Sequence, residues 1–169
     1  MTAAAPHPRV TPNTAVRLGW ILVALVSAFL LMTGLFVLTT PVDRDYFAST
    51  TGMTWPEFEA QSPSVAPNVE RTGRLLGVGS SAFGLLALVI AVTRLRVGDP
   101  WAARTLWILP LGLGAYTLLF VLDGVTTLAA FYAALASAAA GGLLLATRGL
   151  AAAQARGLSA GPTTEPPEG

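Results

Sequence analysis

The ionisable side chains that could do chemistry are few, and they stand at the ends of long apolar runs. Glu70, Arg71 and Arg74 come just before one run, and Asp123 comes just after another. If both runs cross a membrane, these four side chains meet at one of its boundaries, as the best candidate for an ionic site. Arg74 has two interpretations. Its guanidinium reaches up to lipid headgroups, or it pairs with an acidic loop residue or with Asp123.

The sequence lacks the residue types that most catalytic and metal sites need. It has no cysteine, and its one histidine, His7, lies between two prolines near the start of the chain. This excludes thiolate chemistry, the common zinc sites and a Ser-His-Asp triad away from His7. Gly77 and Gly79 lie inside an apolar run, without the strand that a phosphate-binding glycine loop requires. We therefore predict no catalytic residue, no metal, no cofactor and no enzymatic activity.

The apolar runs predict a membrane protein. The chain is 53% hydrophobic and 11% charged, whereas soluble domains carry about 25% charged residues. Four apolar runs cover residues 18–38, 75–92, 106–122 and 125–146. At about 1.5 Å per residue, the first is long enough to span a hydrocarbon core of about 30 Å. We predict an all-α fold, in which residues 18–148 form one four-transmembrane-helix bundle.

The arginines predict how the bundle is oriented. Arg94, Arg96 and Arg104 lie in the hinge of residues 94–104, and short arginine-rich loops stay on the cytoplasmic side. Gly98-Asp99-Pro100 in this hinge predicts a turn that ends one helix and caps the next. With both chain ends inside, the inner side holds seven of the ten basic residues: Arg9, Arg17, Arg94, Arg96, Arg104, Arg148 and Arg156. The outer side holds only three: Arg44, Arg71 and Arg74.

This asymmetry predicts an N-in, C-in topology, with residues 1–17 and 149–169 as disordered cytoplasmic tails. The use of arginine in place of every lysine, together with the many alanines, indicates a GC-rich bacterial genome. The expected location is therefore the bacterial cytoplasmic membrane, with several spans. The hinge has two interpretations, a plain connector or a docking surface for a cytoplasmic partner or anionic lipid.

The outer loop, residues 39–72, is predicted to have structure of its own. Thr54 and Glu57 have the spacing of a capping box, which predicts a short helix near residues 55–61, a break at Pro63 and a second turn from Ala66. We expect Trp55, Phe58 and Ala60 to lie against the membrane surface. The loop is then either a lid that rests on the end of the bundle or a cover over an outward-facing cavity.

Small residues about four positions apart predict close helix packing. They occur in the second run (Gly73, Gly77, Ser80, Ser81 and Gly84) and in the fourth (Ala138, Gly141 and Gly142). The same spacing serves packing within one chain and dimerisation alike. Pro110 predicts a bend near the start of the third run, because proline removes one backbone hydrogen bond. Asp123-Gly124 predicts a tight turn between the third and fourth runs.

This layout resembles that of small four-span bacterial membrane proteins of actinobacterial type, the DoxX-like and related families. The resemblance covers residues 16–148 and depends on four short motifs: Thr51-Gly52-Met53-Thr54-Trp55, Arg74-Leu75-Leu76-Gly77, Gly98-Asp99-Pro100-Trp101-Ala102 and Trp107-Ile108-Leu109-Pro110. It implies a four-helix membrane bundle. It implies no catalytic residues, and most proteins of this layout have no assigned activity.

Two functions are compatible with these features. The first is a non-enzymatic accessory or interaction component, with the lipid bilayer as its surroundings and a second copy or another membrane protein as its partner. The second is a binder or carrier of a small apolar molecule or lipid, in a pocket under the outer loop. The net charge of +1 gives no reason to expect nucleic acid as a partner.

Overall fold

The computed structural model describes residues 14–159, and the side chains of residues 14–155. Within this range the chain has helices and no strand, which confirms the all-α part of the predicted fold class. Seven α-helices and one short 3-10 helix follow one another: α1 Thr14–Thr39, α2 Arg44–Thr51, α3 Trp55–Gln61, α4 Ala66–Thr93, the 3-10 helix Leu95–Val97, α5 Pro100–Thr105, α6 Ile108–Leu122 and α7 Thr126–Ser159.

Four helical segments are long and apolar enough to cross a membrane. They are Thr14–Thr39, Ala66–Val97, Pro100–Leu122 and Thr126–Ala155. The first three each contain one of the predicted runs, and the fourth contains residues 126–146 of the predicted run 125–146. Large apolar side chains on all four are exposed, among them Leu25, Leu86, Leu122 and Phe131. Exposed apolar surface costs about 25 cal/mol per Å² in water. The segments therefore carry apolar surface that the chain itself does not cover.

The helices extend beyond the predicted runs, so both predicted tails are too long. Residues 14–17 of the predicted 1–17 tail belong to α1, and residues 149–159 of the predicted 149–169 tail belong to α7. A helix end depends on capping and helix propensity rather than on hydropathy, and alanine, which dominates residues 151–155, is the best helix former. The rest of each predicted tail, with His7 and Arg9, lies outside the described residues.

The chain divides into two compact units. One, here called the loop unit, is Leu25–Leu88. The other, here called the hinge unit, comprises the described residues before Leu25 and after Leu88. Helices α1 and α4 each contribute residues to both units.

In the loop unit, α1 and α4 approach each other at glycines of α4. A Cβ atom on Gly84 would lie 2.5 Å from the backbone nitrogen of Leu31 and 2.9 Å from the carbonyl oxygen of Ser27. A Cβ atom on Gly77 would lie 2.9 Å from the backbone nitrogen of Leu38. Any larger residue at Gly77 or Gly84 would push the two backbones apart, because ordinary contacts between heavy atoms need about 3.5–4.0 Å.

Other members of the predicted packing set lie along the same contact. Gly73 lies against the backbone of Pro41, and Ser81 lies against Gly34 of α1. The Oγ atom of Ser81 is buried and has no hydrogen-bond partner in the described part of the chain. Ser80 is half-buried. The spacing of small residues in α4 thus corresponds to a close helix–helix contact within the loop unit.

In the hinge unit, α7 packs against the start of α1. A Cβ atom on Gly142 would lie 2.9 Å from the carbonyl oxygen of Gly19 and 3.0 Å from the Cβ atom of Leu22. A Cβ atom on the neighbouring Gly141 would meet nothing within 4 Å, and Ala138 is half-buried. Of the two adjacent glycines of α7, Gly142 therefore faces α1 and Gly141 faces open space.

Helices α6 and α7 pack against each other across the predicted tight turn. Gly124 has φ +75°, a left-handed conformation in which glycine avoids the steric cost of a Cβ. Beyond the turn, the ring of Tyr132 stacks on Tyr116 and Phe120, with centroid distances of 5.5 and 5.3 Å. The predicted turn at Asp123-Gly124 is confirmed.

The third apolar segment is interrupted where the sequence predicts a bend. Helix α5 ends at Thr105 and α6 begins at Ile108. Pro110 has no N–H to donate to the carbonyl of Leu106, four residues earlier, so a regular helix cannot run through this point without losing a bond. The interruption falls at Leu106 and Trp107, in the turn just before Pro110, where the hydrogen bond from residue 110 to the carbonyl of Leu106 cannot form.

Candidate functional site

The outer segment, residues 40–65 between α1 and α4, contains a helix that the sequence analysis missed. The carboxylate of Asp43 accepts a hydrogen bond from the backbone N–H of Tyr46 at 3.0 Å and so caps the start of α2. Asp45 adds a negative charge to the first turn, where the helix dipole favours it. Gly52 follows as the left-handed C-cap. These local signals are visible in the sequence, although no apolar run marks the helix.

Helix α3 begins and ends at the predicted residues. The carboxylate of Glu57 accepts hydrogen bonds from the backbone N–H and the hydroxyl of Thr54, both at 2.8 Å. The backbone bond, and then the hydroxyl bond, hold the pKa of Glu57 below its ordinary value, because both stabilise the charged carboxylate. The predicted capping box and the predicted helix Trp55–Gln61 are confirmed.

The two short helices are joined by an aromatic cluster. The ring of Phe47, on α2, lies 5.2 Å from the rings of both Trp55 and Phe58, and these two rings lie 5.4 Å apart. Trp55 is only 2% exposed. The expectation that Trp55 lies against a membrane surface is therefore wrong. Its indole is covered by protein, because α2 supplies an aromatic partner that the sequence analysis did not foresee.

A groove of about 640 Å³ opens beneath this cluster, within the loop unit. Its apolar lining comes from Phe36 at the end of α1, from Val42 and from Trp55. Its charged lining comes from both the outer segment and α4. The complete lining is Phe36, Thr39, Thr40, Pro41, Val42, Asp43, Arg44, Asp45, Trp55 and Glu70. The groove thus combines an aromatic and aliphatic wall with charged groups.

The charges in the groove are unequal. Three carboxylates (Asp43, Asp45 and Glu70) face one guanidinium (Arg44), which gives the lining a formal charge of −2. A lining of this kind suits a molecule with an apolar part and a cationic or hydrogen-bond-donating part. The apolar part can contact the aromatic and aliphatic wall, and the polar part can bind the carboxylates. A wholly apolar molecule would displace water from the carboxylates and offer them no hydrogen bond in its place.

Of the four predicted ionic residues, the structure brings two together. Arg74 and Glu70, one helical turn apart on α4, form an ion pair at 3.6 Å. Both side chains are more than a third exposed, and exposed pairs of this kind stabilise by less than about 1 kcal/mol. Arg71 is exposed and forms no ion pair within residues 14–155. Asp123 belongs to the hinge unit, and its place in an ionic cluster stays a prediction.

The hinge has the predicted capping chemistry. Gly98 has φ +81° and ends the 3-10 helix. Asp99 then caps α5 by accepting a hydrogen bond from the backbone N–H of Trp101 at 2.9 Å, and Pro100 is the first helical residue. The same carboxylate forms an ion pair with Arg94 at 3.9 Å. Asp99 thus fixes the direction in which α5 leaves the hinge.

Among the described residues, no group of three or more histidine, cysteine, aspartate or glutamate side chains could hold a metal ion. Two hydroxyls in the apolar segments bond to their own helices: Thr117 to the carbonyl of Leu113 at 3.0 Å, and Ser137 to that of Ala133 at 2.8 Å. The predictions of no catalytic residue and no cofactor stay predictions.

Comparison with family models, with curated proteins and with solved structures finds no match for this chain. The resemblance to the DoxX-like layout therefore stays a prediction that depends on the motifs alone. The groove in the loop unit and the arginines of the hinge unit are accordingly interpreted from their own chemistry.

Proposed function

We propose that the protein is an integral membrane protein of the bacterial cytoplasmic membrane, with four spans and both chain ends on the cytoplasmic side. The four apolar helical segments and their exposed leucines support membrane insertion, because lipid covers surface that water would not favour. The excess of arginine in the hinge and near the chain ends supports this orientation. The outer segment then lies outside the cytoplasm.

In this arrangement the protein has a binding role, not a catalytic one. It binds a small amphiphilic molecule or a lipid headgroup in the groove of the loop unit. The observation that carries this proposal is the groove itself, about 640 Å³ in volume and lined by Trp55 and Phe36 as well as by three carboxylates. Its volume lies within the range of about 300–1,000 Å³ that small-molecule sites occupy.

The experiment is native mass spectrometry of the protein extracted from its membrane in mild detergent. Val42→Trp places a large ring in the groove, because Val42 lines it. Ser49→Trp adds the same ring on the exposed surface of α2, away from the groove lining. We expect a small-molecule adduct on the wild-type chain and on Ser49→Trp, and its loss from Val42→Trp. An adduct that persists unchanged in Val42→Trp contradicts the proposed site.

A second function is favoured by a different observation. A Cβ atom on Gly79, Gly114 or Gly141 would meet nothing within 4 Å, so each glycine leaves a shallow surface at which another helix can approach closely. This supports a non-enzymatic accessory component that packs against a second copy or another membrane protein. Gly141→Leu should then abolish a cross-linked complex in membranes while leaving the monomer folded. A protein that runs only as a monomer in mild detergent, with no cross-linked neighbour, contradicts this function.

A further inference from the structure

The hinge unit gathers arginines at one end of a packed helix pair. We propose that this arginine face, made of Arg17, Arg96, Arg104 and Arg148, binds the headgroups of anionic phospholipids. The proposal depends on the membrane insertion proposed above. It does not depend on the groove, which belongs to the loop unit.

Arg17 and Arg148 are placed at the same end by the contact between α1 and α7. A Cβ atom on Gly19 would lie 2.5 Å from the carbonyl oxygen of Gly142 and 2.8 Å from the backbone nitrogen of Ala146. The helices are antiparallel here. Gly19 lies against Ala146, whereas Leu22, further along α1, lies against Gly142, earlier on α7. Arg17 precedes Gly19, and Arg148 follows Ala146. Both therefore stand at the same end of the pair.

The hinge lies at this same end. A Cβ atom on Gly98 would lie 3.0 Å from a methyl carbon of Leu150, so the hinge packs on α7 just beyond Arg148. The guanidinium of Arg96 lies 5.9 Å from the centre of the Trp20 ring on α1, which is close enough for a cation–π interaction. Arg104 follows on α5, which packs against α7.

The charge at this end is strongly positive. Among the residues whose side chains the structure describes, five arginines (Arg17, Arg94, Arg96, Arg104 and Arg148) accompany a single carboxylate at this end, that of Asp99. Asp99 already pairs with Arg94. The four arginines of the face are exposed, and Arg17, Arg104 and Arg148 form no ion pair within the described residues. Within residues 14–155, three guanidinium groups of the face (Arg17, Arg104 and Arg148) therefore have no carboxylate paired with them.

An anionic phospholipid is the partner that this chemistry fits. A planar guanidinium binds two phosphate oxygens at once, and a basic residue near an anionic membrane surface raises binding by about fivefold. Trp101, which lies within the hinge, is 58% exposed, and tryptophan is enriched at the level of lipid headgroups. In a protein whose apolar helices are held in the bilayer, the nearest phosphates are those of the lipids around it.

The test uses the full-length protein in lipid nanodiscs that contain equal amounts of phosphatidylglycerol and phosphatidylcholine. Native mass spectrometry counts the lipids that remain on the released protein. The test variant replaces Arg104 and Arg148 by glutamine. The matched control replaces Arg71 and Arg74, two arginines of the loop unit that lie outside the groove lining, by glutamine, so that the net charge of the chain changes equally.

We expect the wild type and the control to retain more phosphatidylglycerol than phosphatidylcholine. In the test variant, the ratio of retained phosphatidylglycerol to phosphatidylcholine should fall by a factor of at least about 10. The wild-type preference should also weaken between low and high salt, which checks the electrostatic origin without any substitution. An inserted wild-type protein that retains both lipids equally overturns the proposal, as does an equal loss in the control. A protein that never enters the nanodisc overturns the proposed membrane insertion instead.

Discussion

Gly84→Ala is expected to weaken the packing of α1 against α4. The added Cβ atom would lie 2.5 Å from the backbone nitrogen of Leu31 and 2.9 Å from both the Cα atom of Leu31 and the carbonyl oxygen of Ser27. All three are backbone atoms, so no side-chain rotation relieves the contact. Since ordinary contacts need about 3.5–4.0 Å, the two helices must separate locally by about 1 Å.

The cost of this separation can be estimated. A gap of about 1 Å removes roughly half of the dispersion energy between the atoms concerned. Substitutions that overfill a well-packed contact generally cost about 1–3 kcal/mol, and we expect Gly84→Ala to fall in this range. Gly79→Ala, on the same helix, supplies the control. Its Cβ atom would meet nothing within 4 Å, and alanine favours a helix by up to about 1 kcal/mol over glycine.

The assay is reversible unfolding of the purified protein in mixed micelles with increasing SDS, followed by far-ultraviolet circular dichroism. We expect the free energy of unfolding to fall for Gly84→Ala and to stay equal or rise for Gly79→Ala. Only one of two identical changes, five positions apart on α4, should thus lower the free energy of unfolding. Equal stability of Gly84→Ala and the wild type, or an equal loss in both variants, would refute the described packing of α1 on α4.

The capping groups and the glycine pair of α7 give three more tests. Gly142→Ala should lower the free energy of unfolding by about 1–3 kcal/mol and Gly141→Ala should not, because only the first added Cβ meets α1. Asp99→Ala should destabilise by about 1 kcal/mol in the same assay, since it removes the N-cap of α5, and Asp99→Asn should retain most of that stability. The third test concerns pH, since the pKa of Glu57 is lowered in the folded chain by its bonds to Thr54. The stability that these bonds give α3 is therefore present above the ordinary glutamate pKa of about 4.3 and is lost as the pH falls through the lowered value. In a variant in which Trp55 is the only tryptophan, the fluorescence emission of Trp55 should shift to longer wavelength in acid. The same variant with Glu57→Gln added should show no such shift, because glutamine keeps a hydrogen-bond acceptor that does not titrate.

Local signals account for what the sequence predicts correctly. The capping pair of Thr54 and Glu57 gives the start of α3, and the Gly98-Asp99-Pro100 turn gives the start of α5. The four apolar runs coincide, except for Val125, with parts of the four long helical segments. Each of these features depends on residues that are close in the chain, so a sequence pattern is sufficient to find them.

Features that depend on distant residues are not predictable in this way. Gly141 and Gly142 are equivalent small residues in the sequence, and only the rotation of α7 against α1 decides which of them is packed. Trp55 is buried because Phe47, on a helix without an apolar run, covers it. The groove likewise combines Phe36, the outer segment and Glu70, which are up to 34 positions apart in the sequence.

We propose that the chain crosses a membrane with its hinge inside and its outer segment outside. The most direct measurement is labelling of single cysteines in intact cells with a membrane-impermeant maleimide, against a chain that has no cysteine of its own. Ser64 and Val97 are both exposed, so Ser64→Cys reports on the outer segment and Val97→Cys on the hinge. We predict that Ser64→Cys is labelled in intact cells and that Val97→Cys is labelled only after the membrane is opened. Equal labelling of Val97→Cys in intact cells, or recovery of the protein in the soluble fraction without detergent, would contradict the claim.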